Sequence, residues 1–189
     1  VGESDGDYFA TGLRENIDDA TAAVAAVRSE LGDDARHLVV VGHSEGALIA
    51  TALAGGQTHI DGIILLAGMA VTGEQVLLWQ GQRVAKVLTG LSGFLVRKLR
   101  INISKAQRRQ IKRLRSSTGD TVGWGPSKVN ARWFREFLDL DPAPLLAAIH
   151  VPVLAITGSR DVQVNPADVA RMRELVPSLF EGHVIEGVN

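Results

Sequence analysis

The chain of 189 residues contains no cysteine. That excludes a thiol nucleophile, a disulfide framework and a cysteine zinc site. The five histidines, His37, His43, His59, His150 and His183, show no metal-binding spacing such as H-E-x-x-H. Neither a G-x-G-x-x-G nor a Walker A pattern occurs, which removes the two commonest glycine-rich phosphate cradles. No apolar run approaches the roughly 18 residues of a membrane-spanning helix. Residues 75–119 contain no Asp or Glu but hold 11 Lys/Arg, against 9 basic and 21 acidic residues elsewhere. The net charge of −1 therefore hides a strong segregation of sign. What is present is ordinary for a globular domain: 46% apolar and 22% charged residues, in a length that suits one sizeable core.

The most informative stretch is Gly42-His43-Ser44-Glu45-Gly46, a G-x-S-x-G motif. Before it runs Leu38-Val39-Val40-Val41, a short β-branched segment that reads as a buried strand. After it come Ala47 to Ala54, good helix formers ended by Gly55-Gly56. Strand, sharp turn and helix form the context of a nucleophile elbow. The turn predicts an exposed Ser44 hydroxyl, a helix N-terminus that favours developing negative charge, and glycines on both sides where a side chain would clash. The alternative is a glycine-rich strand-to-helix turn of the phosphate-binding kind.

The rest of the chain alternates strand and helix around an interruption. A helix is expected over 15–31, strands over 36–42 and 60–67, and a helix over 45–55. Residues 70 to about 135 carry no convincing strand. Helices are expected over 75–99, 104–115 and 131–138, with a Gly/Ser loop at 116–130. Alternation resumes with a helix over 142–149, a strand over 151–157, a helix over 166–176 capped by Asn165, and a strand over 180–185. The fold class expected is α/β, a mostly parallel sheet with helices on both faces and a helical insertion at the strands' carboxyl ends. The divisions are a first core part at 1–69, a cap or lid at 70–140 and a last core part at 141–189.

A serine nucleophile needs a base and a carboxylate that orients it. Asp161 is the best acid, because it follows the strand 151–157 in a turn at the same sheet edge as Ser44. An ordinary turn aspartate is the alternative. Asp141 precedes a helix and Asp168 lies in one, which makes both weaker candidates. His183 is expected early in the last strand, away from the site. His59 and His150 precede strands, and His43 reads as a packing or turn residue. The base is therefore expected just past Asn189. The turn chemistry at residues 1–7 and the end directly after a strand-like run are those expected of an internal piece of a longer protein, inactive by itself. One oxyanion donor is the backbone N–H of Glu45. The Glu45 side chain reads as an exposed carboxylate at the helix start, with general acid as the alternative.

Val1-Gly2-Glu3-Ser4, the motif at 42–46, the stretch from Trp133 to Pro142, and the stretch from Pro152 through Asp161 carry a resemblance to a known superfamily. The chain resembles the α/β-hydrolases, in particular their bacterial carboxylesterase and serine-aminopeptidase-like branch. Gly187-Val188-Asn189 looks like the G-x-N-H stretch that supplies the base in relatives. The resemblance implies a serine hydrolase, most directly a carboxylesterase acting on small or medium acyl esters. The alternatives are an aminopeptidase-type amide hydrolase and a non-catalytic binding module on the same fold. No metal or organic cofactor and no nucleic acid partner are implied. The insertion would line an acyl pocket with Leu77, Leu78, Trp79, Val84, Val87, Leu88, Leu91, Phe94 and Leu95. Its basic face reads as a solvated helical face, with an anionic membrane surface or acidic substrates as alternatives.

Overall fold

The computed structural model describes residues 5–32, 37–56, 58–87, 103–124 and 127–189. In chain order the elements are α1 (Leu13–Leu31), β1 (Val39–His43), α2 (Glu45–Gly55), β2 (Gly62–Leu66), α3 (Gly73–Val87), α4 (Ile103–Ser116), β3 (Thr121–Trp124), β4 (Ser127–Asn130), α5 (Ala131–Asp139), α6 (Pro142–Ala147), β5 (Val153–Gly158), α7 (Asp168–Leu175) and β6 (Phe180–Ile185). The first four residues of the chain, Leu88, Leu91, Phe94, Leu95 and the rest of the helix expected to reach 99 lie outside the described residues.

Four strands form one parallel sheet in the order β1-β2-β5-β6. All four carboxyl ends lie along one edge. That edge carries the turn with Ser44 after β1, the turn after β2, the loop with Asp161 after β5 and the residues after β6. Parallel strands need long crossovers, and the one from β2 to β5 contains α3, α4, β3, β4, α5 and α6.

Burial explains why these segments fold as they do. In β2 and β5, Ile63, Leu65, Val153 and Ala155 point to one face and are almost fully buried. That face meets α2, whose Ala47, Ala50, Leu53 and Ala54 join the same core, together with Leu146 of α6 and Met172 of α7. Apolar burial of this kind is worth about 1.5–3 kcal/mol for each large side chain. On the opposite face Val39 and Val41 are 47% and 60% exposed, so β1 is a strand but not the buried one that its apolar run suggests. The helix α1 is tied to the foot of the sheet by Arg28, which pairs with Asp61 and donates to the His59 carbonyl. Hydrogen bonds from the Leu38 N–H and from Arg28 hold the Asp61 carboxyl below its ordinary range.

Most elements fall within a few residues of their expected bounds, and two differences change the local structure. β3 and β4, at 121–124 and 127–130, pair antiparallel where a loop is expected over 116–130. Asn130 closes the pair by accepting from the Trp133 N–H and donating to the Tyr8 and Thr11 carbonyls. The helix expected from Pro166 begins at Asp168, because Asn165 closes a turn with Ala167 and Asp168 instead of capping the helix directly.

Candidate active site

Ser44 links β1 to α2 with φ 54° and ψ −113°, outside the regions that ordinary L-residues favour. Such a backbone costs on the order of 1–3 kcal/mol and persists where neighbours over-determine it. Its N–H donates to the Leu66 carbonyl at 2.9 Å, and its carbonyl accepts from Ala47 at 3.0 Å. Ala67, at the end of the neighbouring strand, also has a positive φ of 49°. Its N–H donates to the Ile156 carbonyl. Ser44 and Ala67 are the non-glycine residues of positive φ among the described residues, and both line the same cleft.

The two glycines of the motif are not equivalent. A Cβ on Gly42 would fall 2.7 Å from Ala47 N and closer still to the Gly46 carbonyl. Gly42 is therefore fixed by the approach of strand to helix. A Cβ on Gly46 would meet nothing within 4 Å among the described residues. The expected clash on both sides of the serine is found on one.

The cleft at Ser44 has a volume of about 190 Å³ and is lined by His43, Ser44, Ala67, Asp161, Gln163 and Asn189, among others. Asp161 is 9% exposed and is locked by its own turn. Its Oδ1 accepts from the Gln163 and Val164 N–H groups at 2.7 and 2.9 Å. Asn189 reaches the cleft because residues 187–189 fold over the loop that holds Asp161. Arg160 N–H donates to the Val188 carbonyl at 2.8 Å, and Gly187 N–H donates to Ser159 Oγ at 2.9 Å.

Glu45 is the first residue of α2, so its N–H has no carbonyl one turn earlier in the helix. Its side chain is half-buried and clamped, contrary to the expected exposed carboxylate. Oε1 accepts from Asn16 Nδ2 at 2.9 Å and from Trp133 Nε1 at 2.8 Å. Asn16 and Trp133 carried no signal beyond residue type, since each lies far from Glu45 in sequence.

The histidines are spread out. His43 is exposed and lines the cleft, so it is not a packing residue. His183 is in register with Ile156, on the row that runs through Leu66 to His43. It therefore sits level with the end of β1, not at the far end of the sheet. Three strand spacings, about 14 Å, still separate it from His43. Its Nε2 faces Glu181 Oε1 at 2.7 Å. His37, His59 and His150 precede strands at the other edge, as expected.

Asp141 caps α6 by accepting from the Ala143 N–H. Asp168 is 1% exposed and joins α7 to the turn after β2. It accepts from the Ala70 N–H at 3.2 Å and from Arg171 at 2.6 Å. Burial outweighs these partners and pushes its carboxyl above the ordinary range. Of the insertion's expected acyl-pocket residues, Leu77 and Leu78 instead pack into core clusters. Trp79 lines a cleft of about 160 Å³ with Asp168 and Arg171, and Arg83 lies 5.0 Å from the centre of its ring. Of the side chains of Val84 and Val87 nothing is described. Among the described residues, no group of three or more His, Asp or Glu could hold a metal ion, and no helix is long and apolar enough to cross a membrane.

Comparison with known proteins agrees with this layout. The chain is 28% identical over 155 residues to the esterase EstD of Thermotoga maritima, covering 82% of this chain and 34% of the relative. It is 29% identical over 178 residues to the N-formylmaleamate deformylase of Pseudomonas putida, covering 91% of this chain and 63% of the relative. The chain thus spans about one third and under two thirds of these two relatives. Its fold matches Est1E of Butyrivibrio proteoclasticus, solved with ferulic acid, at a TM-score of 0.63 and 17% identity, over 98% of this chain and 64% of that one. That likeness establishes the α/β-hydrolase fold. The family model described as serine aminopeptidase, S33 matches residues 1–188. With the parallel sheet, Ser44 and Asp161 all inside the matched span, this chain belongs to that family of α/β-hydrolases.

Proposed function

We propose that the protein is a serine hydrolase that cleaves carboxylic esters of small or medium acyl groups through an acyl-enzyme on Ser44. The observation that carries this reading is the strained Ser44, at a helix N-terminus, sharing one cleft with the buried Asp161. Ser44 Oγ attacks the ester carbonyl while a base takes its proton. The carbonyl oxygen becomes an oxyanion, to which the Glu45 N–H donates. The C–O bond then breaks and the alcohol leaves with the proton. Water, deprotonated by the same base, attacks the acyl-enzyme and releases the acid. Asp161 orients the base. Its Oδ1 is occupied by its own turn, so Oδ2 is the oxygen for that task. The reading requires a base that enters the cleft beside Asn189, where the chain already approaches Ser44. The segment 70–140 serves as the cap, and its contact with the acid loop supports this: Gln80 Nε2 donates to the Gln163 carbonyl at 2.8 Å.

Amide hydrolysis is the second reading, favoured by the aminopeptidase description of the family and by a relative named as a deformylase. Both chemistries use the same groups. The test compares p-nitrophenyl acetate and butyrate with aminoacyl p-nitroanilides, using full-length wild type and Ser44→Ala. Ester turnover that falls about 10³-fold or more in the variant supports the proposal. Faster cleavage of the anilides installs the second reading. Ester turnover that survives Ser44→Ala removes both.

A further inference from the structure

Glu45 stands where three helices meet. It begins α2, and its carboxylate reaches Asn16 of α1 and Trp133 of α5. Those two helices are joined independently of it. Arg132 of α5 pairs with Glu15 of α1 and with Glu136, and the Arg14 N–H donates to Glu136 Oε2 at 2.8 Å. Asn130, just before α5, binds the Tyr8 and Thr11 carbonyls just before α1. Trp133 is further held by stacking on Phe137 at 5.0 Å between ring centres. The donors that grip Glu45 are thus fixed before Glu45 is added, and α1 and α5 form a frame against which its carboxylate is braced.

The brace acts at the most demanding point of the backbone. Ser44 has the strained conformation, and the Ser44–Glu45 peptide carries the N–H that the proposed reaction uses on the oxyanion. Preorganisation of such a donor matters because its effect depends on where it points before charge develops. Glu45 lines a separate cleft of about 490 Å³, not that of Ser44 and Asp161, and its carboxylate is held there by Asn16 and Trp133. Its hydrogen bonds turn it toward α1 and α5, an arrangement that suits a structural role better than proton transfer.

We propose that the Glu45 carboxylate is a positioning residue: gripped by Asn16 and Trp133, it fixes the Ser44–Glu45 peptide and so aims the oxyanion donor. The proposal rests on Ser44 being the nucleophile. The chemistry required is two acceptor bonds from one oxygen, not negative charge as such. Glutamine can supply the same oxygen, whereas alanine cannot.

The test uses full-length wild type, Glu45→Ala, Glu45→Gln and Trp133→Phe, with two readouts. The first is ester hydrolysis resolved into kcat and KM. Loss of one oxyanion donor costs about 10²–10³-fold in kcat, and a misaimed donor loses part of that. Glu45→Ala is expected to lower kcat about 10–100-fold with KM within about 3-fold, and Glu45→Gln to recover at least about 10-fold of the larger losses. The second is backbone hydrogen exchange over residues 44–48, which needs no turnover. Exchange there rises about 10-fold or more in Glu45→Ala and returns toward wild type in Glu45→Gln. Should Glu45→Ala fail to fold, Trp133→Phe removes one of the two donors while keeping a ring for stacking, and a smaller effect in the same direction is expected. Wild-type exchange and kcat in Glu45→Ala would overturn the proposal. So would Glu45→Gln as impaired as Glu45→Ala, which would mean that charge, not the acceptor bonds, is used. If wild type hydrolyses no ester, the proposed function fails, and hydrogen exchange still decides the brace.

Discussion

The motif's two glycines should respond to the same substitution with opposite signs. Gly42→Ala places a Cβ 2.7 Å from Ala47 N and nearer to the Gly46 carbonyl, and every one of these atoms is backbone. Ordinary carbon contacts begin near about 3.5 Å, so strand and helix must separate by roughly 1 Å. No side chain can rotate away to relieve this. Overpacking of this kind costs about 3 kcal/mol. For a domain of this size that lowers Tm by about 6–12 °C. Gly46→Ala meets open space among the described residues, in a helix where alanine is the better residue. It should gain about 0.5 kcal/mol and raise Tm by about 1–2 °C. Urea unfolding followed by circular dichroism, with a thermal scan, measures both. Gly42→Ala within about 0.5 kcal/mol of wild type would refute the close approach, and a large loss in Gly46→Ala would refute the open space.

Asp168 gives a pH-dependent prediction. Burial raises its carboxyl pKa in the folded state, so folding favours its protonated form. The stability of wild type relative to Asp168→Asn should therefore rise as pH falls from the raised pKa toward about 3.9, and be flat below it. Urea melts between pH 7 and 4 measure this, and a difference that falls with acidification contradicts it. The outward stripe Arg108, Arg109 and Lys112 on α4 is exposed, while Ile111 and Leu114 of that helix are buried. Changing each stripe residue to Gln should alter stability by under about 0.5 kcal/mol. Arg115→Gln should cost more, up to about 1 kcal/mol, because Arg115 meets Glu74 and Asp139 at 3.0 Å each. Equal effects at all four positions would count against this division of the basic face.

The parts of the fold that were legible in the sequence are those set by local chemistry. Val39-Val40-Val41 is too short and too β-branched for a helix, and the alanine-rich stretch after Gly46 is too long for a strand. Asp161 could be placed by its turn beside β5. The pairing of β3 with β4 was not legible, because these strands are four residues each and carry little alternation. What closes them is Asn130, through partners more than 100 residues away. The grip on Glu45 was hidden for the same reason: Asn16 and Trp133 are 29 and 88 residues from it. The level of His183 depended on the β5–β6 register, which the apolar pattern of β6 alone does not set.

The central claim is that Ser44 is the nucleophile. Treating the full-length protein with a fluorophosphonate and locating the adduct by peptide mass spectrometry tests it most directly. The account predicts one adduct, on the peptide containing Ser44, lost in Ser44→Ala and strongly slowed in Asp161→Asn. A folded protein that takes no adduct, or takes it at another serine with Ser44 unmodified, would contradict it.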